Sequence, residues 1–416
     1  MIKAGYAIQE ITPQQPFPLA GYDLRKQKSI GVHDPLSVRA VVLQAGDAVC
    51  VFCVLDLLGA AQYMADEIRS QICKRLPVPE QAVTISAIHT HAAPQSVFAS
   101  FACYDPDYAK TVIAAAVRAA EQAFINRTPV TVRYAHTAVE GVASYRDRER
   151  EQSAYAMPCD TLYMEPSDAG KPPILFTVYA CHPTVLNESN LWMSRDMVYG
   201  CDKRLKERMP DIQTCFLNGA CADVSTRYTR RASNFAEAER LGAIWADAVW
   251  DSVEQAGNPT VSLSAASEML FVPPAEYFPK AEIPDILAHL ERKMEICADE
   301  QQKREYAACR SVLKREHYGS GKGSMVRLGV ISLGEIWLCA LPFEYASADA
   351  AVLAERIRQQ TGHRAVICCY SNGYEGYLPS GKPLCADSGY EDMASNFRYD
   401  AKNLVADAIC NMIGGK

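Results

Sequence analysis

The sequence lacks the patterns that mark most membrane, secreted and nucleic-acid-binding proteins. No apolar run approaches the roughly 18 residues that a transmembrane helix needs, and the first residues do not form the charged and then apolar segment of a signal peptide. The net charge is -7 over 416 residues, without a basic stripe, which argues against a nucleic-acid partner. From these absences we expect a cytoplasmic protein that does not insert into membranes.

A disulfide framework is also missing, although the chain contains 16 cysteines. Several of them, including Cys50, Cys53 and Cys339, lie inside apolar runs, where a reduced thiol packs as a small hydrophobe. Cys50 and Cys53 form a CxxC motif, but no second CxxC is present to complete a zinc site. We therefore expect free thiols in a reducing compartment.

Runs rich in β-branched and aromatic residues alternate along the chain with segments of helical periodicity. The strand-like runs are 38–43, 49–55, 82–88, 130–135, 174–180, 214–217, 326–332, 336–341 and 365–370. The helical segments are 63–75, 107–126, 235–254, 348–361 and 395–412. This alternation predicts an α/β fold of mixed β-sheets flanked by helices in layers.

A charged, largely helical excursion at about 281–323 interrupts the alternation and ends in a glycine-rich turn. In that turn Lys322 is followed by glycine and no strand precedes it, so the turn is not a phosphate-binding P-loop. The excursion either covers the active site or makes a dimer contact, and the sequence does not decide between these roles. We expect a single catalytic domain over 1–416, and we leave homo-oligomerisation open.

Three of the eight histidines follow strand-like runs directly. His89 and His91 come after the run 82–88, and side chains two residues apart in an extended segment point the same way. His182 comes after the run 174–180. Functional side chains of α/β proteins collect at the ends of strands, and zinc favours imidazole ligands. The three histidines therefore predict a metal site or a catalytic site.

Two further segments place polar residues at the ends of apolar runs. Glu344 follows the run 336–341, and a buried carboxylate is unfavourable unless it is paired or bound to a metal. Glu344 is therefore a candidate third ligand. In the segment 218–225 small residues allow a ligand to approach the backbone closely, and Asp223 and Ser225 are candidate polar contacts. A tight turn capped by Asp223 explains that segment equally well.

Taken together and in order, five short motifs resemble the catalytic domain of the neutral/alkaline non-lysosomal ceramidase family. They are S-A-I-H-T-H at 86–91, H-P-T at 182–184, A-D-V-S at 222–225, L-P-F-E at 341–344 and Y-E-G-Y at 374–377. The segments I-T-P at 11–13 and L-A-G-Y at 19–22 are similar to the opening of the family, and Y-E at 390–391 to a later pair. The resemblance covers nearly the whole chain and implies a ceramidase-like, layered α/β catalytic domain.

The resemblance also implies roles for individual residues. It implies that one zinc ion per chain is held by His89, His182, Glu344 and Tyr377. It implies that His91 lies beside the metal-bound water, Tyr390 beside the scissile carbonyl and Arg146 against the substrate, with Ser225 at the serine of the family's G-D-V-S segment. The implied reaction is hydrolysis of an amide bond, in which His91 acts as general base and then passes a proton to the leaving amine.

The surroundings of these motifs depart from the family. The residues after Ser225 are Thr226 and Arg227, where the family has proline and asparagine, and no immunoglobulin-like segment follows the catalytic region. We therefore expect a small soluble N-acyl amide as substrate, and not ceramide itself. Three alternatives stay open: a non-catalytic zinc-containing ligand-binding protein, a barrel-type metal-dependent amidohydrolase, and a serine hydrolase using Ser225. The last lacks a GxSxG motif around its serine.

Overall fold

The computed structural model describes residues 2–23, 25–95, 97–98, 103–146, 156–259, 262–315 and 318–415. Its strands are β1 Ile2–Glu10, β2 Gly31–Val32, β3 Ser37–Ala45, β4 Ala48–Leu55, β5 Val83–Ala87, β6 Thr128–Val139, β7 Ser144–Tyr145, β8 Met157–Pro166, β9 Ile174–Tyr179, β10 Trp192–Met193, β11 Gln213–Asn218, β12 Val224–Ser225, β13 Leu263–Val272, β14 Ser324–Leu333, β15 Ile336–Ala340 and β16 Arg364–Cys368. Its α-helices are α1 Gln62–Arg75, α2 Pro106–Ile125, α3 Met197–Arg208, α4 Phe235–Glu254, α5 Ile283–Ile296, α6 Glu300–Leu313, α7 Ser347–Thr361, α8 Tyr390–Ala394 and α9 Ala401–Gly414.

The larger of the two main sheets has eight strands in the order β11-β9-β8-β6-β1-β3-β4-β5. The pairs at its two ends, β11–β9 and β4–β5, are parallel, and the pairs between them are antiparallel. Helix α2 packs on β1, β3 and β4, and α4 packs on β6 and β8. Strands β4 and β5 are buried along nearly their whole length, and their continuous apolar sequences suit strands that are covered on both faces.

The smaller sheet has four strands in the order β13-β14-β15-β16, of which only β15 and β16 are parallel. Helix α7 packs on β16, and α9 packs on β13 and β14. Mixed sheets with helices against them confirm the predicted α/β class. None of the helices in the described part of the chain is both long and apolar enough to cross a bilayer. None of the sixteen cysteines forms a disulfide bond in the structure, as expected for reduced thiols.

The two sheets meet where β5 of the larger sheet contacts the segment that follows β16. The side-chain oxygen of Asn372 accepts hydrogen bonds from the backbone of Ile85 at 3.2 Å and from Arg69 Nη2 at 2.8 Å. The hydroxyls of Ser86 and Ser371 lie 2.6 Å apart. Further along the junction the carbonyl of Asn218, at the end of β11, accepts from the backbone N–H of residue 369 at 3.0 Å. The carboxyl ends of β5, β11 and β16 are thereby joined.

Strands β1, β8 and β13 and helix α3 are present but are absent from the predicted elements, and the last helix begins at Ala401 and not near residue 395. Strand β13 shows why. Nearly all of its residues are half-buried or exposed. Its first six residues, LSAASE, carry neither an apolar run nor the strict alternation that a sheet with one buried face produces, and only the short run MLFV at its end indicates a strand.

Candidate metal centre

His89 and His182 lie at strand ends, and backbone carbonyls orient their rings. His89 follows β5 with a left-handed backbone, φ 67°, and its Nδ1 lies 2.8 Å from the carbonyl oxygen of Leu58. The Nδ1 of His182 lies 2.8 Å from the carbonyl oxygen of Cys221 and 3.0 Å from that of Val224. A carbonyl only accepts, so each Nδ1 carries the proton and each Nε2 presents its lone pair to the space between the two rings.

Glu344 completes this space from the smaller sheet. Its Oε2 lies 3.0 Å from His182 Nε2 and 3.6 Å from His89 Nε2. Its Oε1 accepts a hydrogen bond from the hydroxyl of Tyr374 at 2.7 Å. The side chain is only 2% exposed. Burial raises the pKa of Glu344, but the adjacent His89 and His182 outweigh it and lower the pKa to about 2. Glu344 is therefore an ionised carboxylate at neutral pH.

His91 lies next to His89, with 3.3 Å between their Nε2 atoms. Its ring packs edge-on against Tyr22 with 4.9 Å between ring centroids, and a Cβ added to Gly21 would fall 2.3 Å from the ring. Arg25 fixes the backbone by donating from Nη1 to the carbonyl of His91 at 2.8 Å. Within the described part of the chain, Nδ1 of His91 is buried without a hydrogen-bond partner. The ring is thus positioned by packing and one nitrogen is left for a ligand.

These donors fit a divalent metal in one of two groupings. The ligand nitrogens of His89, His91 and His182 all lie within 4.8 Å of one another, and the carboxylate of Glu344 is hydrogen-bonding distance from His182. We favour His89, His182 and Glu344 as the inner group, because Glu344 Oε2 faces both imidazoles and because both rings have an oriented second nitrogen. Two imidazoles and a carboxylate are a donor set that catalytic zinc takes, with an open position left for water.

Burial also keeps the three imidazoles neutral, which metal binding requires. It lowers the pKa of His89 to about 3, and it is the main reason why the pKa of His91 lies well below its ordinary value. The pKa of His182 is lowered too, by burial and by the charge of Arg146, although the contact with Glu344 opposes this shift. The low pKa of Glu344 needs positive charge beside the carboxylate, and with neutral imidazoles a bound divalent cation would supply that charge.

Tyr377, the fourth predicted ligand, lies beside this group. Its backbone forms a bridge with Glu344, and its hydroxyl accepts a hydrogen bond from Arg146 Nη1 at 3.2 Å. The same Nη1 lies 3.3 Å from the carboxylate of Glu391. The ring of Tyr390 is 5.6 Å from that of Tyr377. The structure therefore brings Arg146, Tyr377 and Tyr390 together on one side of the metal-facing residues, and coordination by Tyr377 stays a prediction.

Ser225 lies behind His182. The two residues form a backbone bridge, and Ser225 Oγ accepts a hydrogen bond from the backbone N–H of Arg227 at 3.3 Å. Asp223, in the same segment, accepts hydrogen bonds from the backbone and the hydroxyl of Ser347 at 2.8 and 2.9 Å. Asp223 thus stabilises the start of α7, a distant segment, and these hydrogen bonds do not cap its own turn. A catalytic part for Ser225 stays a prediction.

The excursion forms the hairpin of α5 and α6, and α6 reaches over the site. Glu305 pairs with Arg227 at 3.2 Å. The two other contacts are ion pairs of Arg304 with Glu188 at 3.7 Å and of Arg315, just after α6, with Asp23 at 2.9 Å. The apolar side of the hairpin forms a cluster of its own, which includes Ile286, Leu290, Cys309, Leu313 and Met393. The excursion thus lies against the segments that carry Arg227, Glu188 and Asp23, and both roles named from the sequence stay predictions.

Sequence reasoning missed several residues that build the site. Tyr374 belongs to the Y-E-G-Y motif, in which the family resemblance implies a role for Tyr377 alone. The spacing does not show which tyrosine reaches Glu344. Gly21 and Tyr22 were quoted as part of the chain opening, and their contact with His91 joins segments about 70 residues apart. A cavity of about 480 Å³ between α7, β16 and the ends of β8 and β9 is lined by none of the site residues.

The structure brings imidazoles and a buried carboxylate together where strand ends of the two sheets are joined. It therefore defines the protein as an α/β protein with a candidate mononuclear metal site. Comparison with known families narrows this class. The sequence profile described as neutral/alkaline non-lysosomal ceramidase, N-terminal, matches residues 3–218. The chain belongs to the neutral/alkaline non-lysosomal ceramidase family.

Solved structures agree on the fold. The neutral ceramidase from Pseudomonas aeruginosa superimposes with a TM-score of 0.79 at 15% identity, covering 100% of this chain and 74% of that one. A structure titled as ceramidase complexed with C2 gives a TM-score of 0.79 at 13% identity, covering 100% of this chain and 75% of that one. No curated protein sequence matches significantly. At such identities the superpositions describe the fold, and the chemistry of this chain is argued from its own residues.

Proposed function

We propose that this protein is a zinc-dependent hydrolase that cleaves an amide bond in a small soluble N-acyl substrate. One observation carries the proposal: His89 and His182, each oriented by a hydrogen bond from Nδ1 to a backbone carbonyl, present Nε2 to the ionised Glu344. A purely structural ion pair would not require both histidine rings to be oriented through Nδ1. Membership of the ceramidase family indicates the class of reaction. Tyr377 is the proposed fourth ligand.

The zinc ion would polarise the amide carbonyl and lower the pKa of a coordinated water towards 7. Every other step belongs to the chain. His91 receives the proton of the attacking water at Nε2, which faces His89 at 3.3 Å, and passes it to the departing amine nitrogen. Burial lowers the pKa of His91 well below its ordinary value, so the ring is neutral and can accept a proton, and its protonated form readily passes that proton on. A substrate in the site would displace water from this buried ring.

The phenol hydroxyls on the other side stabilise negative charge that develops on the carbonyl oxygen. Burial raises the pKa of Tyr390 to about 12, so its hydroxyl stays a donor at neutral pH. Arg146, which already donates to Tyr377, holds that hydroxyl in place and adds positive charge. One such donor is commonly responsible for a factor of about 10²–10³ in kcat. Ser225, behind His182, is the proposed substrate-contacting hydroxyl.

We propose that the enzyme works in the cytoplasm. The support is chemical: none of the sixteen cysteines forms a disulfide bond, as is usual in a reducing compartment. Helix α6 and Arg315, just after it, form three ion pairs with segments around the site. Ceramide held in a membrane is a poor match for a site covered in this way. A small amide that reaches the site from water is the better match.

The test compares wild type with His182→Ala in elemental analysis and in hydrolysis of a panel of N-acyl amides. We expect about one zinc per chain in wild type, and loss of both zinc and at least about 10³-fold of the activity in the variant. His289→Ala is the matched control, because His289 lies on α5 in an exposed pair with Asp387. A wild type that binds no zinc, and gains no activity from added zinc, would favour a non-catalytic ligand-binding protein.

A further inference from the structure

The arginines around the site entrance differ in how their charge is compensated. Arg146, Arg227, Arg304 and Arg315 each lie within 4 Å of a carboxylate. Arg230 does not, and among the described residues its guanidinium has one hydrogen-bond partner, the carbonyl oxygen of Thr184. Arg25 also lacks a carboxylate within 4 Å, but its guanidinium donates to four backbone carbonyls. A half-buried cation whose partner is a neutral carbonyl is left with free donors. Arg230 is therefore the arginine to examine for a ligand.

The electrostatic surroundings of Arg230 strengthen the contrast. Burial lowers the pKa of its guanidinium, the Tyr22 phenol and the Asp196 carboxylate oppose this shift, and the positive charges of Arg227 and Arg304 add to it. The Asp196 carboxylate is committed elsewhere, because it accepts from the backbone of Val185 and Leu186 at 3.2 and 2.9 Å. Arg227 and Arg304 are themselves paired with Glu305 and Glu188, so Arg230 is the member of this group that has no carboxylate within 4 Å among the described residues.

Arg230 also lies close to the proposed chemistry. Thr184, which it contacts, is two residues from His182. The charge of Arg230 acts to lower the pKa of the Tyr22 phenol, although burial raises it overall. Tyr22 in turn packs on His91, with 4.9 Å between the ring centroids. Thr184 and Tyr22 thus connect the surroundings of Arg230 with His182 and His91. An anionic group bound there would belong to the same small molecule as an amide bound beside His91.

We propose that Arg230 binds a carboxylate of the substrate, so that the substrate class is an N-acyl amide that carries one carboxylate near its scissile bond. The planar guanidinium matches a carboxylate with two parallel hydrogen bonds. A single free guanidinium suits a monoanion. This inference rests on the proposed hydrolase function for the identity of the amide, but the anion site itself does not depend on turnover.

The first experiment measures binding without turnover. Two sulfonamide probes that are not amide substrates, N-octylsulfonylglycine and its uncharged glycinamide counterpart, are titrated calorimetrically into the purified zinc-loaded protein. Charge-assisted hydrogen bonds are among the strong ones, so we expect Arg230→Gln to weaken the carboxylate probe about tenfold or more and the uncharged probe far less. Arg230→Lys, which keeps the charge but loses the fork, is expected to fall between them.

Arg231→Gln is the matched control, because it removes the same charge from the next residue, which is exposed. It is expected to change neither affinity. Thermal melting of each variant checks that the fold is retained. Equal weakening of both probes by Arg230→Gln, or a carboxylate probe that binds wild type no better than the uncharged one, would overturn the proposal.

The second experiment separates this inference from the proposed function. Wild type is given N-octanoylglycine and N-octanoylglycinamide, and cleavage of each amide is followed. Cleavage of the glycinamide with equal or better kcat/KM would retain the hydrolase and remove the carboxylate site. An Arg230-dependent preference in binding, without cleavage of either amide, would retain the carboxylate site and remove the hydrolase. Preference for N-octanoylglycine that is lost in Arg230→Gln would support both.

Discussion

The inner site and the outer rim of this protein are held together in different ways. The inner site consists of His89, His182, Glu344 and Tyr374, which are buried and linked to one another or to backbone carbonyls over 2.7 to 3.6 Å. The outer rim consists of Arg227, Glu305, Arg304, Glu188, Arg315 and Asp23, which form ion pairs that are partly exposed.

The comparison teaches that the contacts of the inner site and the ion pairs of the outer rim can be changed independently of each other in this fold. Inner contacts lie where water is excluded, so each lost partner leaves a buried polar group unsatisfied. Rim contacts lie where solvent and salt compete with every pair, so each contributes little by itself. Changes to the inner site should therefore act on metal, proton transfer or folding, whereas changes to the rim should be small and sensitive to salt.

Among changes that leave the proposed metal ligands in place, the largest effect is expected from Gly21→Ala. A Cβ there would lie 2.3 Å from the His91 ring, and the backbone has φ 92°, so the ring must move. Displacing a general base commonly lowers kcat by about 10²-fold or more. Metal content measured by elemental analysis should not change. Gly46→Ala is the control, since Gly46 has φ 58° but no atom within 4 Å of an added Cβ; an equal loss of kcat there would contradict the ring contact.

The next effect concerns Asp196, which fastens the segment after His182. Burial raises its pKa to about 6, above the roughly 3.9 of an unfolded chain. The folded protein therefore holds a proton that the unfolded chain has released, and the free energy of unfolding should fall by roughly 3 kcal/mol as pH rises from about 4 to about 6.

Urea denaturation at several pH values measures this contribution as the difference between wild type and Asp196→Asn. Other groups titrate in the same range, and the difference removes them. The variant should have a flatter pH dependence, whatever its stability at one pH. A decline of the same size in both proteins would show that Asp196 is not its source.

Tyr374→Phe should act on metal affinity. The substitution removes the hydrogen bond to Glu344 Oε1 at 2.7 Å and leaves the ring in place. Loss of such an orienting partner commonly weakens metal binding about 10- to 100-fold. Competition with a zinc chelator measures the change, and Tyr277→Phe, whose hydroxyl contacts Asn396 at 3.4 Å on the surface, is the control. An unchanged zinc affinity would move Tyr374 from the inner site to the packing around it.

The smallest effect is expected at the rim, from Glu305→Gln. The pair with Arg227 is partly exposed, 16% and 22% for the two side chains, so its loss should change the free energy of unfolding by about 1 kcal/mol or less. The change should shrink further in high salt. Glu300→Gln, on the same helix and paired with Lys303, is the control. A large loss of stability from Glu305→Gln alone would mean that the rim is as tightly coupled as the inner site.

The same contrast decides what the sequence can predict. The alternation of apolar runs and helical segments predicts the α/β class, and His89, His182 and Glu344 are recognisable because each follows an apolar run that becomes a strand. The metal-facing residues are thus local features, one at each strand end, and the resemblance to the family orders them.

What the sequence does not predict depends on contacts between distant segments. Gly21 meets His91, Asn372 meets Ile85, and Glu305 meets Arg227, and nothing in the residues beside each partner indicates the other. The half-exposed strand β13 fails for a different reason, because its pattern lacks a buried face. Sequence patterns therefore identify the candidate site residues but not the long-range contacts that orient their side chains.

One feature of the backbone bears on attempts to transplant this site. In the described part of the chain the residues other than glycine with positive φ are His89, Asp196, Tyr370 and Asn372, and each lies in the inner site or directly supports it. Such conformations are unfavourable by about 1–3 kcal/mol each and persist only where the surroundings enforce them. Side chains grafted onto the ends of regular strands in a designed scaffold would therefore arrive with the wrong aim, and a designer would have to copy the bends together with the ligands.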